Sequence, residues 1–182
     1  MDGTKEFIKK NGEFTVNIAL IENHEPVLGV VDAPAKDLLY FGQKGEGAYK
    51  IDENGNKTEI KSHFPGKIPI IIASRSHRDN RIDQLLAAIG THEEINMGSS
   101  LKLCLIAEGK AQIYPRLAPT YLWDTAAADA VVRAAGGKIT DTGGRDLTYN
   151  PAKTMKNPFF VAFAGNDTLF DANKDILDGA DS

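Results

Sequence analysis

The spacing of turn-forming residues changes once along this chain, near residue 62, and that change constrains the fold more than any composition figure does. Before it, apolar and β-branched runs are short and close together: 14–22 (FTVNIALIE), 27–31, 38–42 and 48–51. They are broken by Asn23-His24-Glu25-Pro26, by Asp32-Ala33-Pro34 and by the glycine-rich stretch 43–47. Asp52-Glu53-Asn54-Gly55-Asn56 is the sharpest turn signal, because Asn-Gly tolerates the positive φ angles of a tight hairpin. Short runs with close breaks predict an antiparallel meander.

After residue 62 strand-like and helix-like segments alternate. Strands are expected at 68–74, 94–97, 111–114 and 159–164, and helices at 79–89, 99–108, 124–135 and 167–177. That alternation predicts an α/β layer with ligands at strand ends. The expected division is 1–62 for the antiparallel sheet and 63–182 for the α/β part, with 62–67 (SHFPGK) as a hinge.

The chain has 182 residues, 42% of them hydrophobic and 25% charged, which is enough for a core rather than a disordered segment. Twenty-five acids against twenty-one bases leave a net charge of −4. A nucleic-acid polymer is therefore not an expected partner, although a few local cations suffice for a small anion. One cysteine, Cys104, excludes an internal disulfide and any cysteine-based zinc cluster, and its apolar context predicts a core position. No apolar run approaches the roughly 18 residues of a membrane span, and residues 1–10 lack the apolar stretch of a signal peptide, so a cytoplasmic location is expected. His24, His63 and His92 have no partner pattern and are expected on the surface.

Two short motifs offer chemistry. Trp123-Asp124-Thr125-Ala126-Ala127-Ala128 opens the best helix in the chain. It reads either as a capped core helix or as a carboxylate beside a positive helix end, with alanines that let a ligand or another backbone come close. Asp2-Gly3-Thr4 opens a short segment ending near Asn11-Gly12. There Asp2 and Thr4 read as helix caps, or Gly3 as a residue whose N–H meets an oxyanion.

Taken together the motifs resemble the inositol monophosphatase-like family of metal-dependent phosphatases, in which an Asp-Pro-(Ile/Leu)-Asp-Gly-Thr motif and a Trp-Asp motif converge on magnesium. Lys5-Glu6-Phe7, Ser74-Arg75-Ser76-His77, Gly98-Ser99-Ser100-Leu101-Lys102-Leu103-Cys104 and Tyr114-Pro115-Arg116-Leu117 look like one branch of it, the 3′(2′),5′-bisphosphate nucleotidases of the bacterial CysQ type. The resemblance implies a layered α-β-α-β sandwich of the sugar-phosphatase type, here an antiparallel sheet followed by a smaller α/β layer. It also implies magnesium-dependent conversion of 3′-phosphoadenosine 5′-phosphate to AMP and phosphate, in sulfur metabolism.

Residue by residue, the resemblance makes Asp2 and Asp124 metal ligands and Met1 a donor through its backbone carbonyl. Gly3 and Thr4 take positions that hold the scissile phosphate, with the Thr4 hydroxyl orienting water. His77, Ser99, Lys102 and Arg116 take positions that contact the nucleotide. The chemistry is consistent, since magnesium prefers hard oxygen ligands and a second phosphate calls for cations.

The family motif begins with Asp-Pro ahead of the position of Met1, and this chain has no such pair. Ala118 stands where the branch usually has glycine, and Leu122 where an acidic residue is common. The chain thus reads as the C-terminal two-thirds of such an enzyme, without helices covering the first sheet. Impaired activity and self-association through the uncovered sheet are expected. Other readings are an inositol or sugar monophosphatase, a non-catalytic nucleotide-binding fragment, and a structural fragment that requires its missing half.

Overall fold

A computed structural model describes residues 2–73, 79–165 and 168–177. After a short helix, α1 (Thr4–Lys9), come five strands: β1 (Val16–Glu22), β2 (Glu25–Ala33), β3 (Leu38–Gln43), β4 (Gly47–Ile51) and β5 (Lys57–Ile60). They form one sheet in chain order, each antiparallel to the next. Local chemistry sets the turns. Asn23 and His24 both take positive φ, 50° and 67°, so β1 and β2 join through two residues and the turn is tighter than the expected four. Pro26 falls inside β2, tolerated because the register slips between Leu20 and Ile21 opposite it. At the β4–β5 hairpin the Asp52 carboxylate accepts the N–H groups of Asn54 and Asn56.

The second sheet contains β6 (Ile70–Ile72), β7 (Glu93–Ile95), β8 (Ile113–Arg116), β9 (Lys138–Asp141) and β10 (Phe160–Phe163), in the order β7-β6-β8-β10-β9. β6 is parallel to β7 and β8, whereas β10 is antiparallel to β8 and β9. The sequence reading set no range for β5 and did not include β9. The helices are α2 (Asn80–Ile89), α3 (Leu101–Ala107), α4 (Leu122–Ala134), α5 (Thr168–Asp171) and α6 (Lys174–Leu177). The closing helix expected over 167–177 is therefore two short ones. Asp79 caps α2 by accepting the Arg81 N–H at 2.9 Å.

Helices α3 and α4 lie between the sheets. One apolar core joins Val31, Tyr40 and Ala48 of the first sheet to Leu103 and Val131 of these helices and Phe160 of the second sheet. On the other face of the second sheet, Ile71, Ile113 and Val161 pack against Leu85 and Leu86 of α2 and Leu177 of α6. The layering, sheet–helices–sheet–helices, is that of the mixed α/β sandwich expected from the resemblance. Among the described residues no helix layer covers the outer face of the first sheet, and Val16, Ile18 and Leu20 are exposed there. The 62–67 segment is anchored at its start: Ser62 is buried, its N–H meets the Ala135 carbonyl, and its hydroxyl meets the Ile106 carbonyl at 2.8 Å.

Candidate active site

Gly3, with φ +88°, sits just before α1 and takes a backbone angle that strains other residues. Asp2 forms a two-way backbone bridge with Thr15, and its Oδ2 accepts the Ser100 hydroxyl at 2.9 Å. The expectation that Asp2 and Thr4 cap the helix is corrected here. Gly3 is the N-cap, no side chain caps the end, and α1 stops at Lys9 because Lys10 turns left-handed.

Asp124 also departs from its expected place. α4 begins at Leu122, so Asp124 lies inside the first turn and reaches back to accept the Tyr121 N–H at 2.8 Å. The cause is nonlocal. Tyr121 is held extended by a bridge to Lys156, and Asn157 Nδ2 donates to the Thr120 hydroxyl, the Tyr121 carbonyl and the Thr125 hydroxyl. At Ala127 the close approach is that of a backbone, since β2 and β3 meet α4 through Gly29 and Gly42.

Asp2, Gly3, Ser99, Lys102, Arg116 and Asp124 line one cavity of about 260 Å³. Burial raises the pKa of Asp124 and the Asp2 charge raises it further, against the Tyr121 N–H and the Arg116 charge. A carboxylate disfavoured in its charged form by burial and by a second carboxylate in the same hollow gains from a cation beside it. Among the described residues, Oδ1 of each accepts no hydrogen bond. These hard oxygen donors fit part of a magnesium shell. No group of three or more His, Cys, Asp or Glu side chains is assembled for a metal among the described residues.

The same cavity holds unsatisfied cationic and polar groups. Burial lowers the Lys102 pKa, and the Arg116 charge adds to the effect. Arg116 Nε and the Ser99 hydroxyl are buried and have no hydrogen-bond partner among the described residues. A buried donor left unpaired costs about 1–3 kcal/mol, and an anionic ligand would satisfy these.

Thr4 is exposed and does not line the cavity. Met1 and His77 lie outside the described residues. Glu6, Lys9, Ser100, Tyr114, Thr120 and Thr125 also line the cavity and were not singled out by sequence reasoning. Glu6, Ser100, Tyr114 and Thr125 fall within the quoted motifs and Lys9 and Thr120 close to them, but none was given a role at the site. Cys104 is buried, and burial pushes its thiol pKa up, as befits a core residue. His24 and His63 are exposed, and His92 is partly so, with its ring against the Gly90 carbonyl.

The sequence profile of the inositol monophosphatase family matches residues 1–162. The CysQ 3′(2′),5′-bisphosphate nucleotidase of Salmonella typhimurium is 49% identical over 160 residues, covering 88% of this chain and 64% of that protein. Its Escherichia coli K12 counterpart is 48% identical over the same shares. The chain thus spans about 64% of the length of these curated relatives. Among solved structures, CysQ from Bacteroides thetaiotaomicron superposes with a TM-score of 0.83 at 43% identity, over 91% of this chain and 68% of that one. Inositol monophosphatase II of Staphylococcus aureus shares the fold, with a TM-score of 0.78 at 21% identity over 97% and 64% of the two chains. With the profile matched across most of its length, the chain belongs to the inositol monophosphatase family.

Proposed function

We propose that the cavity is the substrate site of a magnesium-dependent phosphatase that removes the 3′-phosphate of 3′-phosphoadenosine 5′-phosphate, yielding AMP and phosphate. The observation that carries this reading is the meeting, in one hollow, of Asp2 and Asp124 with the half-buried cations Lys102 and Arg116, Glu6 and Lys9 standing on the same wall. One phosphoryl group lies with Gly3 and the carboxylates, and the second pairs with Lys102, Arg116 and the orphaned Ser99 hydroxyl. A monophosphate would leave Arg116 Nε and the Ser99 hydroxyl unmet.

Asp2 and Asp124 hold the cation, with the Met1 carbonyl as a further donor. When bound, magnesium stabilises charge developing on the phosphoryl and leaving oxygens and lowers the pKa of a coordinated water. Gly3 and Thr4 present backbone N–H groups at a helix start, where intrahelical acceptors are lacking, to the phosphoryl oxygens. His77 contacts the nucleoside.

Phosphate release from 3′-phosphoadenosine 5′-phosphate and from inositol 1-phosphate, with and without magnesium, tests the assignment. Faster magnesium-dependent release from the nucleotide is expected, and preference for inositol 1-phosphate would overturn it. A second reading, nucleotide binding with little turnover, is favoured by the lack of a third metal-ligating side chain among the described residues. It predicts calorimetric binding without phosphate release. The exposed Val16, Ile18 and Leu20 support self-association through the first sheet, which sedimentation at rising concentration would reveal.

A further inference from the structure

We propose that Ser100 is a positioning residue that ties Asp2 to the first turn of α4 through a hydroxyl with two alternative acceptors. The inference rests on the metal-binding reading of Asp2 and Asp124 and gives Ser100, on the wall of the same cavity, a role that acts through Asp2.

Ser100 is 3% exposed and immediately precedes α3. Its Oγ lies 2.9 Å from Asp2 Oδ2, 3.0 Å from the Asp124 backbone carbonyl and 2.7 Å from Asn17 Nδ2. The strand that carries Asn17, the residue before Gly3 and the start of α4 are far apart in sequence and meet on this one oxygen.

The donor inventory then fixes what the hydroxyl does. Asn17 Nδ2 can only donate, so Ser100 accepts from it and keeps its own single proton for Asp2 or for the Asp124 carbonyl. Before a cation binds, the Asp2 carboxylate is the stronger acceptor. Once a cation draws on that carboxylate, the proton turns to the Asp124 carbonyl, and no buried hydroxyl is left unpaired. Asp2 thus stays oriented without being locked. Alanine at this position would leave both Asn17 Nδ2 and Asp2 Oδ2 without their partner, in a place where Asn17 Oδ1 already has none.

The test uses the 182-residue chain as wild type, S100A, Asp2→Asn and the double variant, with Mn²⁺ binding read from the electron paramagnetic resonance of the free ion. S100A is expected to weaken binding about tenfold, in line with the loss of a group that orients a metal ligand, and to have no further effect once Asp2 is Asn. Unchanged binding in S100A, or an equal loss in the Asp2→Asn background, would overturn the proposal. A second readout is independent of metal. Amide exchange at the Asp2 and Thr15 N–H groups should quicken about tenfold in S100A while the α2 amides stay unchanged, and unchanged exchange would overturn the tie. Wild type that binds no Mn²⁺ would count against the metal reading, leaving exchange to decide on Ser100. Should S100A fail to fold, Ser100→Cys keeps the bulk, replaces the hydroxyl by a weak donor, and carries the same expectations.

Discussion

Gly29 on β2 faces the Ala127 carbonyl of α4 so closely that a Cβ on Gly29 would stand 2.0 Å from that oxygen. The contact is backbone to backbone, with no flexible side chain to yield. It seats the helix that carries Asp124 directly on the first sheet. Gly29→Ala is expected to cost about 3 kcal/mol or more, at the upper end of overpacking penalties. Gly143→Ala, whose added Cβ would meet Asp141 Oδ1 at an ordinary 3.4 Å, should be nearly neutral. Urea unfolding of both variants gives the comparison.

How much of this was legible in the sequence depends on whether the cause is local. The first four strands are punctuated by turn residues that act within a few positions, and their limits were close to those observed, whereas Asn54-Gly55 marked the turn into β5 without setting that strand's limits. Strand β9 went unread because Lys138–Asp141 is short and polar at both ends, and pairing with Phe160–Phe163 makes it a strand. The start of α4 was placed late for a similar reason, since Lys156 and Asn157 hold Tyr121 from more than thirty residues away. At the site, residue type and motif order marked Asp2 and Asp124. Nothing in Ser99-Ser100 tells which serine meets Asp2, because Asn17 and Asp124 complete that contact only in three dimensions.

Glu108 joins α3 to the first sheet. Its Oε1 accepts the Tyr40 hydroxyl at 2.6 Å, and its Oε2 lies 2.7 Å from Lys110 Nζ and 3.3 Å from Lys50 Nζ. Burial pulls the carboxyl pKa upward, but Lys110, Tyr40 and Lys50 outweigh it and hold the value below 4.5. A depressed carboxylate adds stability that is present above its unfolded pKa and lost as pH falls through the folded one. Tyr40→Phe is therefore expected to cost about 1.5–3 kcal/mol at pH 7. That difference should shrink below pH 4.5, as denaturant midpoints measured across pH would show.

Burial disfavours the charge of Lys102, and the nearby Arg116 charge depresses its pKa further. Removing that strain should stabilise the ligand-free chain. Lys102→Met is expected to raise stability by about 0.5–2 kcal/mol, the usual gain when a functional compromise is relieved. Its affinity for 3′-phosphoadenosine 5′-phosphate should fall at least tenfold, from the loss of a charge-assisted contact. Thermal unfolding and calorimetry on the same preparation separate the two effects.

The same preparation answers for the anion-facing arginine. Arg116→Gln should weaken nucleotide binding about ten- to hundredfold, since hydrogen bonds to charged groups contribute about 1.5–3 kcal/mol. The change relieves the repulsion with Lys102 and removes an unpaired buried Nε but loses the hydrogen bond to Tyr114, so the shift in unfolding should be smaller than for Lys102→Met.

The most direct measurement is Mn²⁺ affinity in wild type, Asp2→Asn, Asp124→Asn and the double variant. If both carboxylates hold one ion, each single change weakens binding at least tenfold, and the double change costs less than the two losses added together. Binding that is indifferent to either substitution would contradict the account.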